Sequence, residues 1–211
     1  MPDFEFENQY DVPVAGIDEA GRGPWAGPVV AGAVIIVDKK LNDFLLGALN
    51  DSKKLTPKKR EALYDSLFAA QEAGQLFIGI GEASAEEIDR YNILQATFLA
   101  MQRAAEALKL KPQFALVDGN QTPRNLLCPC RTLIKGDARS YSIAAASIVA
   151  KVYRDRLMAK LAEKYPYYGF EKNVGYGTAA HIAGLKAYGI VEGQHRKSYR
   201  PIQEILRQRA G

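Results

Sequence analysis

At 211 residues and 47% hydrophobic composition, the chain is long enough to bury a large core, as one large domain or as a domain with a helical appendage, and a single core is expected. No uninterrupted apolar stretch reaches membrane-spanning length, and the acidic start Met1 to Glu7 is the reverse of a basic secretion signal, so a cytoplasmic location is expected. The net charge of +4 does not by itself mark a nucleic-acid binder, but its excess lies in the tail, where Lys186, Arg196, Lys197, Arg200, Arg207 and Arg209 face only Glu192 and Glu204.

The first informative stretch is Val14 to Pro24. A short apolar run reaches two adjacent carboxylates, Asp18 and Glu19, followed by Gly21, Arg22, Gly23 and Pro24. The run is too short for a typical helix, and the glycines and proline punctuate regular structure, so a strand giving way to a tight turn at the acids is predicted. Neighbouring strand side chains point to opposite faces, so the two acids can share a ligand only if the backbone bends there. Gly16 and Gly21 have the spacing of a phosphate-binding P-loop, but Arg22 and Gly23 stand where that motif needs Lys and Ser or Thr, and no helix follows. Instead Val29 to Val37 is β-rich, which predicts an antiparallel hairpin with carboxylates, arginine and backbone amides at its tip.

Beyond a loop with a short helical piece near Phe44 to Leu49, Asp51 to Leu55 (DSKKL) leads into Thr56 and Pro57, an N-cap and first-turn pair opening a helix to about Glu72. Leu63, Leu67 and Ala70 form its expected buried face. Lysines before a helix N-terminus oppose the dipole, and the same combination suits a phosphate. Gln75 to Gly81 reads as a third strand, Ser84 with Glu87 as a capping box, and Asn92 as the cap of a longer helix whose core stripe is Leu94, Phe98, Met101, Ala105 and Leu108. Asp89 is read with Asn92 as a helix-boundary residue.

Phe114 to Asp118 repeats the opening pattern of a short strand ending in an acid and a glycine. If it pairs in parallel with the first strand, the intervening helices supply the crossover and Asp18 and Asp118 become neighbours. Cys130 to Lys135 is a further strand, ending at Gly136 and Asp137. A helix capped by Ser140 or Ser142 then runs to about Lys164 with a stripe of Ala145, Val149, Tyr153, Leu157 and Leu161. Asp137 can be an ordinary acid at a helix start or a third ligand. Cys128 and Cys130 cannot complete a zinc site by themselves and are read as reduced thiols. The aromatic, glycine-rich stretch Tyr165 to His181 offers stacking surfaces or ordinary packing, and Thr178 caps the next helix. A basic helix, Ile202 to Arg209, closes the chain. His181 and His195 suit a proton shuttle or a structural hydrogen bond.

Four acids, Asp18, Glu19, Asp118 and Asp137, with no histidine or thiolate make a hard oxygen pocket suited to magnesium or manganese. Their mutual repulsion calls for cations, and a pair of ions can bind a phosphodiester between them.

The motif DEAGRGP at Asp18 to Pro24 resembles the first signature of the type 2 ribonucleases H, the bacterial ribonuclease HII family, and DSKKL, Ile88 to Ile93, and KGDxxxxSIAAASIxAKVxRD at Lys135 to Asp155 follow in order. The resemblance runs from about Val14 to Pro201. It implies a ribonuclease H-like α/β fold, a central mixed sheet with helices on both faces and a helical C-terminal segment, as one catalytic domain with a core of about 12–165. It also implies an endoribonuclease that cuts the RNA strand of RNA/DNA hybrids, and 5′ of single ribonucleotides in DNA, leaving 3′-hydroxyl and 5′-phosphate ends. Two ions, Mg2+ or Mn2+, would be held by the four acids, with Asp18 bridging them. Gly21, Arg22, Gly23 and Tyr176 would read the 2′-hydroxyl, Lys53 a phosphate, and Ser140 and Ser147 would contact substrate. The tail shows no aromatic sliding-clamp peptide, and a monomer is expected. A DNA nuclease or strand-transfer enzyme of the same fold, or a non-catalytic hybrid-binding protein, would differ in cutting all-DNA duplex or in cutting nothing.

Overall fold

The computed structural model describes residues 2–39, 41, 43–49 and 55–210. The helical elements are α1 (Asp43–Ala48), α2 (Pro57–Glu72), α3 (Ala85–Ala107), α4 (Tyr141–Lys164), α5 (Phe170–Asn173), α6 (Ala179–Tyr188) and α7 (Arg200–Ala210). The strands are β1 (Val14–Ala20), β2 (Val29–Ile36), β3 (Leu76–Ala83), β4 (Phe114–Asp118) and β5 (Cys130–Leu133), in the sheet order β3-β2-β1-β4-β5. The chain divides into two compact units. The first holds Met1–Ala20, Val30–Glu82 and Phe98–Val152; the second holds Gly21–Val29, Ala83–Thr97 and Tyr153–Gly211.

The first unit carries the sheet. β1 and β2 are antiparallel, as the hairpin reading expects, with Ala15 opposite Ile35 and Ala20 opposite Val30. Their connection, residues 21–28, is longer than the expected tight turn. β1 and β4 are parallel neighbours, paired from Val14 with Phe114 to Ile17 with Val117, and β5 adds in parallel beyond β4. The mixed sheet follows from this chain order: a hairpin can only be antiparallel, whereas β4 returns after α2, β3 and α3, long enough for a parallel crossover.

The first half of α4 is buried almost all round, which its run Ile143 to Val149 of small and branched apolar residues permits. It lies very close to the sheet. A Cβ on Gly16 would overlap the backbone of Ser142 and Ile143, and one on Gly32 would reach to 2.5 Å from the Ala146 carbonyl. Two residues along a strand and one turn along a helix advance by similar distances, about 6.6 and 5.4 Å. The contact at Gly16 therefore repeats one turn later at the paired residues Asp18 and Gly32. α3 meets β3 in the same way: Cβ atoms on Gly79 and Gly81 would overlap the carbonyls of Ala104 and Ala100. Met101, Ala105 and Leu108 are buried as expected, but this approach extends the buried stripe of α3 onto Ala96, Ala100 and Ala104, while the expected Leu94 and Phe98 are only half-buried. The later part of α4 departs similarly: Val152, Arg154, Met158 and Ala162 are buried, and Tyr153, Leu157 and Leu161 are half-buried.

The local signals act as expected. Thr56 accepts from the Lys59 amide at 3.3 Å, Ser84 and Glu87 exchange capping bonds at 3.1 and 2.9 Å, and Asn92 accepts from Leu94 and Gln95 at 3.0 and 3.1 Å. Asn92 has φ +67°, which kinks α3 there. Ser140 caps α4 by accepting from the Ile143 amide at 3.2 Å. The cysteines are free thiols.

The second unit has its own core of Ala26, Met158, Phe170, Leu185 and Ile202, packed with Trp25 and Tyr199. α6 starts at Thr178, which accepts from the His181 amide, and runs to Tyr188. No helix among the described residues is long and apolar enough to cross a membrane.

Candidate active site

In the first unit, the ladder between β1 and β4 stops at Ile17 and Val117, so Asp18 and Asp118 follow the last paired residues of two adjacent parallel strands. The C-terminal ends of parallel strands are where open α/β sheets bind ligands. Asp18 is 6% exposed and shares its sheet face with Gly16, against α4. From that helix Ser147 hydrogen-bonds its carboxylate, and Asp18 Oδ1 also accepts from the Glu19 amide at 2.7 Å. Burial, first, and then the charges of Glu19 and Asp118 hold the Asp18 carboxyl well above the usual range.

The expected tight turn does not begin at the acids: β1 stays paired with β2 through Asp18, Glu19 and Ala20, and Glu19 is nevertheless near enough for its charge to act on Asp18. Asp118 follows on β4, with Oδ1 accepting from the Gly136 amide at 2.7 Å. Asp137 lies in a single 3₁₀ turn, Gly136–Ala138, and is buried. Among the described residues no three Asp, Glu, His or Cys side chains are gathered as a ready-made metal cage. The donor chemistry nevertheless fits a divalent cation. All four side chains are hard carboxylates, and Asp18 carries a charge that burial and its neighbours penalise and that a proton or cation would relieve.

Ser147 thus touches Asp18. Ser140 is placed differently from its expected substrate contact: it is fully buried, and its hydroxyl donates to Glu7 Oε1 at 2.7 Å. Ser142 donates to the same oxygen through its amide and hydroxyl, at 3.0 and 2.6 Å. Glu7 therefore ties the N-terminal segment to the start of α4. Nothing in the sequence pointed to this role. Lys53 and the rest of 51–54 lie outside the described residues.

In the second unit, Gly21, Arg22 and Gly23 form an exposed or half-exposed turn, with Gly21 at φ +94°. Side-chain-bearing residues seldom adopt that conformation. Tyr176 is 49% exposed, and a Cβ on Gly23 would lie 3.3 Å from its ring, so the glycine leaves the ring face room. Two buried arginines hold this region: Arg154, to which the sequence reading assigned no role, and Arg196, read there only as part of the basic tail. Arg154 donates to the carbonyls of Pro28, Val174 and Ala26 at 2.9, 3.0 and 3.1 Å. Arg196 donates to those of Gly21 and Arg22 at 2.6 and 2.9 Å. Burial, and then its neighbour Arg196, lower the Arg154 pKa to about 10; burial also lowers that of Arg196.

His181 and His195 are buried with Nε2 atoms 3.0 Å apart, and burial holds both below the usual histidine range, His195 at about 4. The structural reading of this pair is the one met here. Asp89, expected at a helix boundary, lies three residues before the kink of α3 at Asn92 and also accepts from the amides of Lys197 and Ser198, each at 2.8 Å.

A family model described as ribonuclease HII matches residues 15–201. The ribonuclease HII of Jannaschia sp. (strain CCS1) is 52% identical over 205 residues, covering 97% of this chain and 98% of the relative. That of Paramagnetospirillum magneticum is 52% identical over 206 residues, covering 98% and 99%. The crystal structure of ribonuclease H2 from Pyrococcus horikoshii OT3 is 32% identical, with a TM-score of 0.73 over 92% of this chain and 97% of that one. Bst-RNase HIII, solved in complex with Mn2+, shares the fold at 18% identity and a TM-score of 0.71, covering 93% and 70%. With nearly full-length identity of about one half added to the DEAGRGP strand end and the mixed sheet, the chain belongs to the ribonuclease HII family and is a type 2 ribonuclease H.

Proposed function

We propose that the enzyme hydrolyses the RNA strand of RNA/DNA hybrids, incises 5′ of single ribonucleotides embedded in DNA, and leaves 3′-hydroxyl and 5′-phosphate ends. The observation that carries the reading is the electrostatics of Asp18, a buried carboxylate crowded by Glu19 and Asp118 where two parallel strands end. Asp18, Glu19, Asp118 and Asp137 would hold two divalent cations, Mg2+ or Mn2+, the kind of ion carried by the related Bst-RNase HIII. Such a pair, when bound, activates the attacking water and stabilises the leaving oxygen. The protein's part is positioning. Ser147 orients Asp18 from α4, and the Gly136 amide fixes one oxygen of Asp118.

Phosphates of RNA and DNA are alike, so selectivity rests on the 2′-hydroxyl. Gly21 and Gly23, on either side of Arg22, leave the backbone groups of the turn open to close approach, and half-exposed Tyr176 offers a ring for the sugar. Lys53 would contact a phosphate. The protein is proposed to act as a monomer without a strong clamp tether, in the cytoplasm.

The test compares the parent and Asp18→Asn, with magnesium or manganese, on matched duplexes: all DNA, one embedded ribonucleotide, and a full RNA strand over DNA. Incision 5′ of the lone ribonucleotide by the parent alone, with all-DNA duplex intact, is the expected result. Cutting of all-DNA duplex would favour a general nuclease, and an unimpaired variant would remove Asp18 from the chemistry.

A further inference from the structure

The segment His195 to Tyr199 has no part in the reaction above, yet nearly every residue in it holds something. Arg196 is fully buried and spreads its guanidinium over carbonyls: Nη2 to Gly21 at 2.6 Å, Nη1 to Arg22 at 2.9 Å, and Nε and Nη2 to Gly27 at 3.1 and 2.9 Å. The Tyr199 hydroxyl accepts from Arg196 Nη1 at 3.0 Å and donates to the Arg22 carbonyl at 2.5 Å. Lys197 and Ser198 are held in turn by Asp89, which takes both amides and the Ser198 hydroxyl, the last at 2.6 Å.

His195 starts a second line of bonds. His195 Nδ1 lies 2.8 Å from the Val191 amide, which donates to it, and 3.4 Å from the Val191 carbonyl; the shorter bond leaves Nδ1 without a proton and places it on Nε2. His195 Nε2–H then donates to His181 Nε2 at 3.0 Å, which leaves the His181 proton on Nδ1, 3.0 Å from the Tyr176 carbonyl. Each tautomer follows from the bond before it, starting from the short contact of the Val191 amide. The line ends on the backbone of the tyrosine proposed to meet the sugar.

We propose that residues 195–199 are a positioning strap that sets both sugar-reading elements, the Gly21-Arg22-Gly23 turn through Arg196 and Tyr199, and Tyr176 through the two histidines. The physical basis is peptide planarity. In a trans peptide the N–H points opposite to the C=O of the same plane, so clamping the Gly21 and Arg22 carbonyls also aims the amides of Arg22 and Gly23. A glycine-rich turn has the most conformational freedom to lose, and these clamps remove it before substrate arrives. The forked guanidinium suits the task because it reaches several carbonyls at once, which a lysine ammonium on a flexible stem does not.

The proposal rests on the reading that Gly21 to Gly23 and Tyr176 meet the junction sugar, so its test carries a control for that reading. Tyr199→Phe removes one hydroxyl and keeps the ring; Arg196→Lys removes the fork; Tyr176→Ala removes the sugar platform. Each full-length protein is assayed in single turnover on a duplex with one embedded ribonucleotide, with enzyme concentration varied, and its thermal midpoint and the hydrogen exchange of the amides at 21–24 are recorded. One bond of about 1.4 kcal/mol corresponds to about tenfold. Tyr199→Phe is expected to lower the maximal rate about tenfold, leave half-saturation and the thermal midpoint unchanged, and speed exchange at residues 22 and 23. Arg196→Lys should lose more rate and accelerate the same amides. A parental rate in Tyr199→Phe, or a loss matched by its fall in folded fraction, overturns the strap. If Tyr176→Ala is impaired while Tyr199→Phe is not, the strap fails and the sugar reading stands. If Tyr176→Ala cuts at the parental rate, the sugar reading fails and takes the strap with it.

Discussion

The buried histidine pair makes the stability of this protein depend on pH in a defined window. His195 is held neutral, with its pKa at about 4 against the usual 6.5, by burial and then by the neighbouring His181. Between those values the unfolded chain binds a proton there and the native state does not. Stability therefore rises with pH through the window, is fully present above about 6.5, and is lost as the pH falls toward 4. The shift corresponds to about 3 kcal/mol at full extent and about 2 kcal/mol at pH 5. His195→Gln removes the titrating group, and its packing penalty should be nearly independent of pH. Urea unfolding at pH 7.5 and pH 5 measures the difference, followed by the fluorescence of Trp25, the single tryptophan, whose ring lies 5.8 Å from that of His181. Carboxylates contribute equally to both proteins, so the parent should lose about 2 kcal/mol more than the variant between the two pH values. Equal losses would mean that His195 titrates normally, and the tautomer arrangement would have to be abandoned.

Gly16→Ala should destabilise the protein by about 3 kcal/mol or more, because its methyl group meets the backbone of Ser142 and Ile143 and no side chain can move aside; a denaturation midpoint equal to the parent's would refute the close approach of α4. Glu7→Ala strands the buried hydroxyls of Ser140 and Ser142 and should cost about 2–3 kcal/mol, read by the same unfolding measurement. Asp18→Asn, in chelator, should be more stable than the parent by on the order of 1 kcal/mol, about 2–4 °C. The raised carboxyl binds a proton more readily in the native state, so this gain should grow as pH rises from about 4, and a gain that shrinks would contradict the assigned crowding.

How much of this was legible in the sequence depends on the range of the interaction. Caps act within three or four residues, so Thr56, Ser84 with Glu87, and Asn92 could be read directly. The β1–β4 pairing followed from a strand-acid-glycine pattern repeated across a long crossover. Periodicity failed where small residues let backbones meet: with Gly79 and Gly81 under α3, alanines rather than Leu94 and Phe98 form the contact. Hydrophobicity ranks alanine below leucine, and no one-dimensional pattern reports how near the facing element comes. The contacts of Glu7, Asp89, Arg154 and Arg196 were missed because their partners are remote in sequence or are backbone carbonyls. A signal did exist for Arg196, the polar run from His195 to Ser198 ahead of Tyr199, but a basic run reads first as solvated surface.

This chain buries two kinds of charge, one satisfied by its neighbours and one opposed by them. Arg154 and Arg196 lose hydration, yet their N–H groups meet carbonyls that converge on them. A charge satisfied in this way makes its surroundings rigid and asks for no further ligand. Asp18 is buried as deeply but has like charges for neighbours, and its bonds from Ser147 and the Glu19 amide are outweighed by desolvation and repulsion. That unresolved cost is one that a bound proton or, on the proposed function, a cation would relieve. A cation that relieved it would stabilise the native state, so the active site proposed above rests on the least comfortable charge in the sheet and not on the basic residues of the tail.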